Sequence, residues 1–158
     1  MMKATIRTSL PISAAHAWRV LLKCETFLHI TRGLLGFTGS DKWPAEFHEG
    51  ALIETRLLFF NLLPAWRHRL LVVSVDDERR ELLSRESGGP VRCWNHRIAI
   101  EPDGENACRY TDEIEIEAGV LTPLVWTYAH LFYRYRQMRW RALAADLARA
   151  PQAAPLPP

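Results

Sequence analysis

The chain has 158 residues, of which 48% are apolar and 24% are charged, a composition typical of soluble globular proteins. This length suits one domain with a sizeable core and is short for two. The formal net charge of +2 is too small to predict binding to nucleic acid.

The cysteines and the chain ends predict a cytoplasmic protein. The chain has three cysteines, Cys24, Cys93 and Cys108, an odd number without CxxC spacing. The simplest interpretation is that they are reduced thiols. The first ten residues have no apolar stretch of a secretory signal, and the longest apolar runs are interrupted by Pro, Asn or His. We therefore expect no integral membrane segment, a single domain over residues 1–150 and a disordered Pro/Ala-rich tail over 151–158.

Two short helices are predicted to follow the first strand. Weak alternation indicates a strand over residues 3–10, which Pro11 ends. Ser13 is a good N-cap for a helix that runs to about Lys23, and a second short helix is expected over 25–32.

The middle of the chain is rich in β-strand signals. The predicted strands cover residues 51–60, 66–76, 80–87, 91–101 and 107–117. The turn sequences DDER, SGGP and PDGEN separate the later ones. The connection NLLPAW is unusually apolar, so the segment 57–66 is interpreted as a lid over a cavity, as an interface, or as plain core.

One long helix is predicted over residues 122–149, with Thr122 as a cap and Pro123 at its first position. Its apolar stripe is expected to contain Leu124, Val125, Tyr128, Leu131, Phe132, Tyr135, Met138 and Ala142. The arginines on both sides of that stripe are interpreted as solvated flanks: Arg134, Arg136, Arg139 and Arg141. This order of elements favours an α+β fold in which a curved antiparallel sheet wraps around the long helix.

Several segments in this order resemble the START / polyketide-cyclase superfamily (SRPBCC), which has the helix-grip fold. They are LPISAAHAW, HEGALIETRL, HRLLVVSVD and YTDEIEIEAG, the last leading into a helix that carries YRYRQMRWRAL. The resemblance covers about residues 3–147. It implies a deep cavity between the sheet and the helix, but the superfamily includes both carriers and enzymes, so it does not say what fills that cavity.

The hairpin around PDGEN carries an ionisable residue on the inner face of each strand. Alternation places His96 inward on the first strand and Asp112 inward on the second. If Glu101 pairs with Ala107, His96 lies directly opposite Asp112. A buried carboxylate needs a partner, and the imidazole can supply it. The pair is interpreted as a ligand anchor, as a structural pair, or as a catalytic acid/base pair if the protein is an enzyme.

The same alternation assigns further residues to a ligand-binding cavity. We expect that cavity to be lined or anchored by Trp66, His68, Glu86, Trp94, His96, Tyr110, Asp112 and Tyr128. Two histidines and an aspartate also suit a metal, but they come from separate strands without ligand spacing, so we assign neither metal nor cofactor.

Three functions stay open at this point. The first is binding of a hydrophobic or amphipathic small molecule, such as a lipid, a polyketide-like or an aromatic compound. The second is an enzyme similar to polyketide cyclases and dehydratases, with His96 as base and Asp112 orienting it. The third is a protein-interaction module, for example a homodimer, that uses the apolar connection or the long helix.

Overall fold

A seven-stranded antiparallel sheet forms one side of the protein, and one long helix packs against it. The structure, a computed structural model, describes residues 1–150, and the predicted tail over 151–158 lies outside them. The strands are β1 (Met2–Leu10), β2 (Leu35–Phe37), β3 (Leu52–Phe59), β4 (Leu63–Asp76), β5 (Glu81–Gly88), β6 (Val91–Pro102) and β7 (Cys108–Glu117). The helices are α1 (Ala14–Leu21), α2 (Cys24–Thr31) and α3 (Thr122–Arg149), with single 3₁₀ turns at Ser40–Lys42 and Gly119–Leu121.

The strand order β1-β7-β6-β5-β4-β3-β2 confirms the predicted fold. Consecutive strands from β2 to β7 form a meander, and β1 returns to pair with β7. The sheet curls around α3, whose buried residues pack on β1 and β7 through Ala4, Ile6 and Ile114. A second apolar cluster joins α1 and the far end of α3 to β4, β5 and β6. The curl leaves space between the two clusters.

Local signals place the first helix correctly. Ser13 caps α1, since its hydroxyl accepts a hydrogen bond from the backbone N–H of His16 at 3.3 Å. The carboxylate of Asp77 accepts from the indole N–H of Trp18 at 2.7 Å, which ties α1 to the β4–β5 turn. This contact helps α1 to close one end of the sheet.

The hairpin β3–β4 is longer than the sequence predicted. β4 begins at Leu63 rather than at 66, because only the three residues 60–62 separate it from β3. Phe60 and Asn61 have positive φ, +53° and +58°, as in a type I′ turn, and the backbone N–H of Leu62 donates to Phe59 O at 3.0 Å. The apolar connection is therefore mostly strand, with a turn at its tip.

The inward face of α3 differs from the predicted apolar stripe. Leu124, Leu131 and Met138 are exposed, whereas Arg136 and Gln137 are buried. The helix buries Thr122, Ala129, Phe132, Tyr133, Arg136, Gln137, Trp140 and Ala144. The prediction was wrong because it took polar residues as solvated, and this helix carries two polar residues that find partners on the sheet. Within residues 1–150, no helix is long and apolar enough to cross a membrane.

Candidate functional site

A cavity of about 350 Å³ lies between the curled sheet and the first half of α3. Its aromatic wall contains Phe59, Trp66, Trp94, Tyr128, Phe132 and Tyr133. Its aliphatic wall contains Leu35, Leu57, Leu70, Val91, Leu124 and Val125. Side chains of β3, β4, β5 and β6 supply the sheet side, and those of Trp66, His68, Glu86 and Trp94 lie on the faces that alternation predicted to be inward. The resulting cavity is mostly apolar, as ligand cavities usually are.

Polar groups meet the cavity at one end. The hydrogen bond between His68 Nε2 and Glu86 Oε2 is 2.9 Å long, and Ser84 donates its hydroxyl to Glu86 Oε1 at 3.0 Å. The side chains of His68 and Glu86 are each 13% exposed. The guanidinium of Arg136 on α3 completes this end of the cavity wall. A bound molecule can therefore reach an imidazole and a carboxylate at this end.

A second polar group is sealed behind that wall. His96 Nε2 lies 2.8 Å from Asp112 Oδ1, and Asp112 is fully buried. The same oxygen accepts from the Tyr110 hydroxyl at 3.0 Å, and Asp112 Oδ2 accepts from the Gln137 amide at 2.9 Å. Arg136 Nη2 donates to the Tyr110 hydroxyl at 2.8 Å and lies 3.7 Å from Asp112 Oδ1. Asp112 is thus held by three hydrogen bonds and one nearby positive charge.

The predicted register of the β6–β7 hairpin was wrong by two residues. Asp112 lies opposite Ile98, and His96 lies opposite Ile114. The turn begins one residue later than predicted, and the backbone N–H of Asp103 donates to Ala107 O at 3.0 Å. A shift of two keeps every side chain on its face, so His96 and Asp112 remain on the same side as diagonal neighbours.

Burial and neighbouring polar groups shift the pKa values of Asp112 and Glu86 in opposite directions. Burial raises the pKa of Asp112, but the charge of Arg136 and the hydrogen bond to His96 outweigh it, and the pKa falls below its ordinary value. Burial likewise raises the pKa of Glu86, yet the hydrogen bond and charge of His68 bring it below its ordinary value. Both groups are therefore carboxylates at neutral pH.

Arg136 is the positive charge that links the two polar groups. Burial lowers the pKa of Arg136, but the neighbouring Tyr110 and Asp112 raise it by a larger amount. The net shift is upward, and the guanidinium keeps its charge. The guanidinium carbon Cζ of Arg136 lies 5.3 Å from the ring centre of Tyr133 and 5.7 Å from that of Phe27. Its Nε is buried and has no hydrogen-bond partner within residues 1–150.

The structure separates the predicted ligand-binding residues into two sets. Trp66, Trp94, His68, Glu86 and Tyr128 line the cavity. The other three lie behind it, in the sealed group: His96, Tyr110 and Asp112. Of these, His96 borders a small inner space of about 30 Å³.

The sequence predicted Tyr128 of α3 in the cavity but not the other contributions of this helix. Arg136 was interpreted as a solvated flank, and Gln137 and Tyr133 were not considered. Tyr133 accepts a hydrogen bond from the indole of Trp94 at 3.2 Å and stacks near it. The available signal was Asp112 itself, because a fully buried carboxylate usually needs a positive partner beyond one histidine. Among the described residues, no cluster of three or more His, Cys, Asp or Glu could hold a metal.

Solved structures with this fold are similar over most of their length. The aromatase/cyclase ZhuI from Streptomyces sp. R1128 matches with TM-score 0.68 and 11% identity, covering 94% of this chain and 96% of its own. A START superfamily protein from Mycobacterium smegmatis matches with TM-score 0.65 and 10% identity, covering 92% and 98%. Truncated norcoclaurine synthase from Thalictrum flavum matches with TM-score 0.62 and 15% identity, covering 96% and 95%. These likenesses confirm the helix-grip fold.

The sequence comparisons identify a family without a described activity. No curated protein matches the chain. A family model described as "Domain of unknown function (DUF8410)" matches residues 33–144, which include β2 to β7 and most of α3. The chain therefore belongs to the DUF8410 family, and its fold is the helix-grip fold found in START superfamily and polyketide aromatase/cyclase proteins.

Proposed function

We propose that the protein binds an aromatic or otherwise flat, apolar small molecule with one oxygen-bearing end in the 350 Å³ cavity. The observation that carries this proposal is the confinement of charged groups to one end. His68, Glu86 and Arg136 are the charged or basic side chains among the residues that line the cavity. An apolar wall with a few convergent polar groups is the usual design of a small-molecule site.

The shape of the wall favours aromatic compounds. Phe59 and Trp66 meet edge to face at 5.5 Å between ring centres, and Tyr128 and Phe132 stack at 6.0 Å. Rings in these two orientations offer both faces and edges to a flat ligand. The volume is near the lower end of the range of about 300–1,000 Å³ for such sites, which favours a compact molecule over a long lipid chain.

The polar end favours a ligand that accepts hydrogen bonds. Arg136 keeps its positive charge at the cavity wall, although its Nε is enclosed by protein and does not face the cavity. That charge would attract a carbonyl or phenolic oxygen of the ligand. A hydroxyl elsewhere on the same ring system would donate to Glu86, whose low pKa keeps it an acceptor.

Two relatives support this chemistry. One is named as an aromatase/cyclase, and norcoclaurine synthase was solved in complex with dopamine and hydroxybenzaldehyde. Those molecules are small, aromatic and oxygenated, as the cavity of this protein favours. The identities of 11% and 15% carry the fold alone, so the ligand class rests on the lining of the cavity in this chain.

The experiment is a thermal-shift screen of oxygenated aromatic compounds, after native mass spectrometry of the purified protein. Leu57→Trp fills the cavity, because Leu57 is buried on its wall. Leu52→Trp adds the same volume on the exposed side of the same strand and is the matched control. Compounds should raise Tm in the wild type and in Leu52→Trp and have no effect on Leu57→Trp. Equal shifts in all three proteins would contradict binding in this cavity.

A cyclase-like activity is the second candidate, and the His68–Glu86 pair at the cavity wall favours it. Cyclisation of a polyketide-like chain begins when a base removes a proton from an acidic C–H, which leaves an enolate. His68 would take that proton, the enolate carbon would form a bond with a second carbonyl carbon of the chain, and His68 would return the proton to the resulting alkoxide. The positive charge of Arg136 would stabilise the enolate oxygen. The predicted pair His96 and Asp112 lies behind this wall. We therefore propose His68 as base in place of His96.

A substrate-independent test is exchange of the acidic C–H protons of a small aromatic 1,3-diketone with deuterated solvent. If His68 is the base, His68→Gln should abolish the acceleration of exchange by the protein. His96→Gln should still accelerate exchange when it is assayed at a lower temperature at which this variant is folded. Loss of the acceleration in His96→Gln alone would restore the original assignment. No acceleration by the wild type would leave the binding function as the better proposal.

A further inference from the structure

The tip of the β3–β4 hairpin exposes large apolar side chains. Phe60, Leu62 and Leu63 are 64%, 76% and 56% exposed. Phe60 stands at a turn position with φ of +53°, where Asn, Asp or Gly is favoured and a bulky residue is strained. Neither core packing nor turn geometry explains an aromatic residue there.

The first turns of α3 extend this apolar tip. The ring of Phe59 lies 6.4 Å from that of Tyr128, which brings the hairpin against the helix. Leu121 and Leu124 are 43% and 69% exposed at the start of the helix, and Leu124 also lines the cavity. The apolar tip therefore lies next to the part of the cavity wall that the start of α3 forms.

Behind the tip, the same hairpin carries arginines on its outer face. Arg56 lies directly opposite Arg67, an arrangement of like charges that destabilises a sheet, and Arg69 follows on the same face. The three arginines line a shallow groove, and within residues 1–150 none of them forms an ion pair. Glu54 lies on the same outer face, directly opposite Arg69, and lines the groove, so Arg56 and Arg67 are the two arginines that have no carboxylate opposite them. No Asp or Glu occurs over residues 55–75 or 118–145.

We propose that this hairpin docks the protein on an anionic lipid bilayer. Phe60, Leu62 and Leu63 enter the boundary of the acyl chains, and Arg56 and Arg67 contact headgroup phosphates. This inference concerns the outer surface and stands independently of what occupies the cavity.

The spacing along the hairpin fits the dimensions of a bilayer surface. Arg56 precedes Phe59 by three residues, about 10 Å along a strand. Interfacial segments enter about 5–10 Å, and the headgroup layer adds about 5–7 Å on each side. A tip inserted to that depth brings Arg56 and Arg67 level with the phosphates. Arg69 is about 7 Å further away and still within the screening length of about 8–10 Å.

The combination of features favours a bilayer over another polyanion. Nucleic acid or an acidic protein would pair with the arginines but would leave the apolar tip in water. A neutral apolar partner would cover the tip but would not relieve the repulsion between Arg56 and Arg67. A surface of anionic headgroups above acyl chains satisfies both.

The test is co-sedimentation of the full chain with vesicles of phosphatidylcholine alone and with 30% phosphatidylglycerol. The wild type should sediment with the anionic vesicles, and high salt should weaken the binding. Arg56→Gln/Arg67→Gln should weaken it by about fivefold for each arginine. Arg109→Gln, an exposed arginine on β7, is the matched control and should bind as the wild type does.

A second pair of variants tests the apolar tip. Leu62→Asp should lose most of the binding to anionic vesicles, and Leu83→Asp, on the exposed face of β5, should keep it. Because all these residues are exposed, circular dichroism should show the same fold in every variant. Sedimentation that depends on the arginines but not on Leu62 would show binding to the headgroup charges alone and would overturn the proposed docking by the hairpin tip. Absence of binding by the wild type, or a dimer in solution that Leu62→Asp dissociates, would also overturn it.

Discussion

The protein holds two His–carboxylate pairs of nearly equal length in different surroundings. The His96–Asp112 pair, 2.8 Å apart, is sealed in the interior with Tyr110, Gln137 and Arg136 around the carboxylate. The His68–Glu86 pair, 2.9 Å apart, borders a cavity and is partly exposed. A histidine and a carboxylate therefore meet in two different surroundings. A fully buried carboxylate that accepts three hydrogen bonds is typical of a structural network, and a pair that borders a cavity is typical of a ligand site.

The largest loss of stability is expected when the positive charge of Arg136 beside the buried His96–Asp112 pair is removed. Arg136→Leu leaves Asp112 buried without its positive neighbour, so we expect a loss of about 3–5 kcal/mol in the free energy of unfolding. Urea denaturation measures it. Arg134→Leu, two residues away on the exposed side of α3, should change stability by less than about 0.5 kcal/mol. Similar losses in both variants would contradict the buried role of Arg136.

The next largest effect is expected from the sealed carboxylate itself. Asp112→Asn keeps the shape but removes the charge that pairs with Arg136 and His96, and we expect a loss of about 2–3 kcal/mol, as for a hydrogen-bonded buried charge. Glu113→Gln, on the outer face of the same strand, breaks an ion pair with Arg97 that is partly exposed. It should cost less than about 1 kcal/mol. If the two substitutions have equal effects, Asp112 is not the centre of a buried network.

The pH dependence of stability follows from the lowered pKa values. The pKa values of Asp112 and Glu86 in the folded protein lie below their ordinary values of 3.8 and 4.5, so the unfolded chain binds protons more readily than the folded one. The contribution of these carboxylates to stability is complete at a pH above the ordinary values. It is lost as the pH falls through the folded-state pKa. Urea midpoints at neutral pH and at decreasing acidic pH should show a steep fall below about pH 4.5. Asp112→Asn should flatten that fall, and an unchanged slope would contradict the assignment.

The smallest effect on stability is expected at the accessible pair. Glu86→Gln retains an acceptor for the Ser84 hydroxyl but loses the charge that pairs with His68, so we expect a loss of about 1–2 kcal/mol, smaller than that of Asp112→Asn. Its effect should also appear in the thermal shift that a bound aromatic compound produces. A large loss of stability with unchanged ligand response would reverse the roles of the two pairs and make Glu86 the structural carboxylate.

Alternation along the strands placed the four residues of both pairs on the inner face, but it predicted only the pairing of His96 with Asp112 and not that of His68 with Glu86. It placed His68, Glu86, His96 and Asp112 on the inner face, and all four are there. It could not say which of them a ligand can reach, because that depends on how closely α3 approaches each part of the sheet. Asp112 is buried because Arg136 and Gln137 cover it, and the cavity lies nearer the start of the helix.

Local sequence signals were enough to predict the order of the elements, apart from the short strand β2, and the inward face of β4, β5, β6 and β7. Both follow from local geometry, since side chains alternate with a period of two and turns have their own residues. The tertiary structure decided the register of β6 with β7, the buried face of α3 and the partner of Asp112. Alternation is unchanged by a shift of two residues, so it cannot fix a register. An arginine on a helix is solvated or buried according to whether a carboxylate lies opposite it, which only the packed sheet can supply.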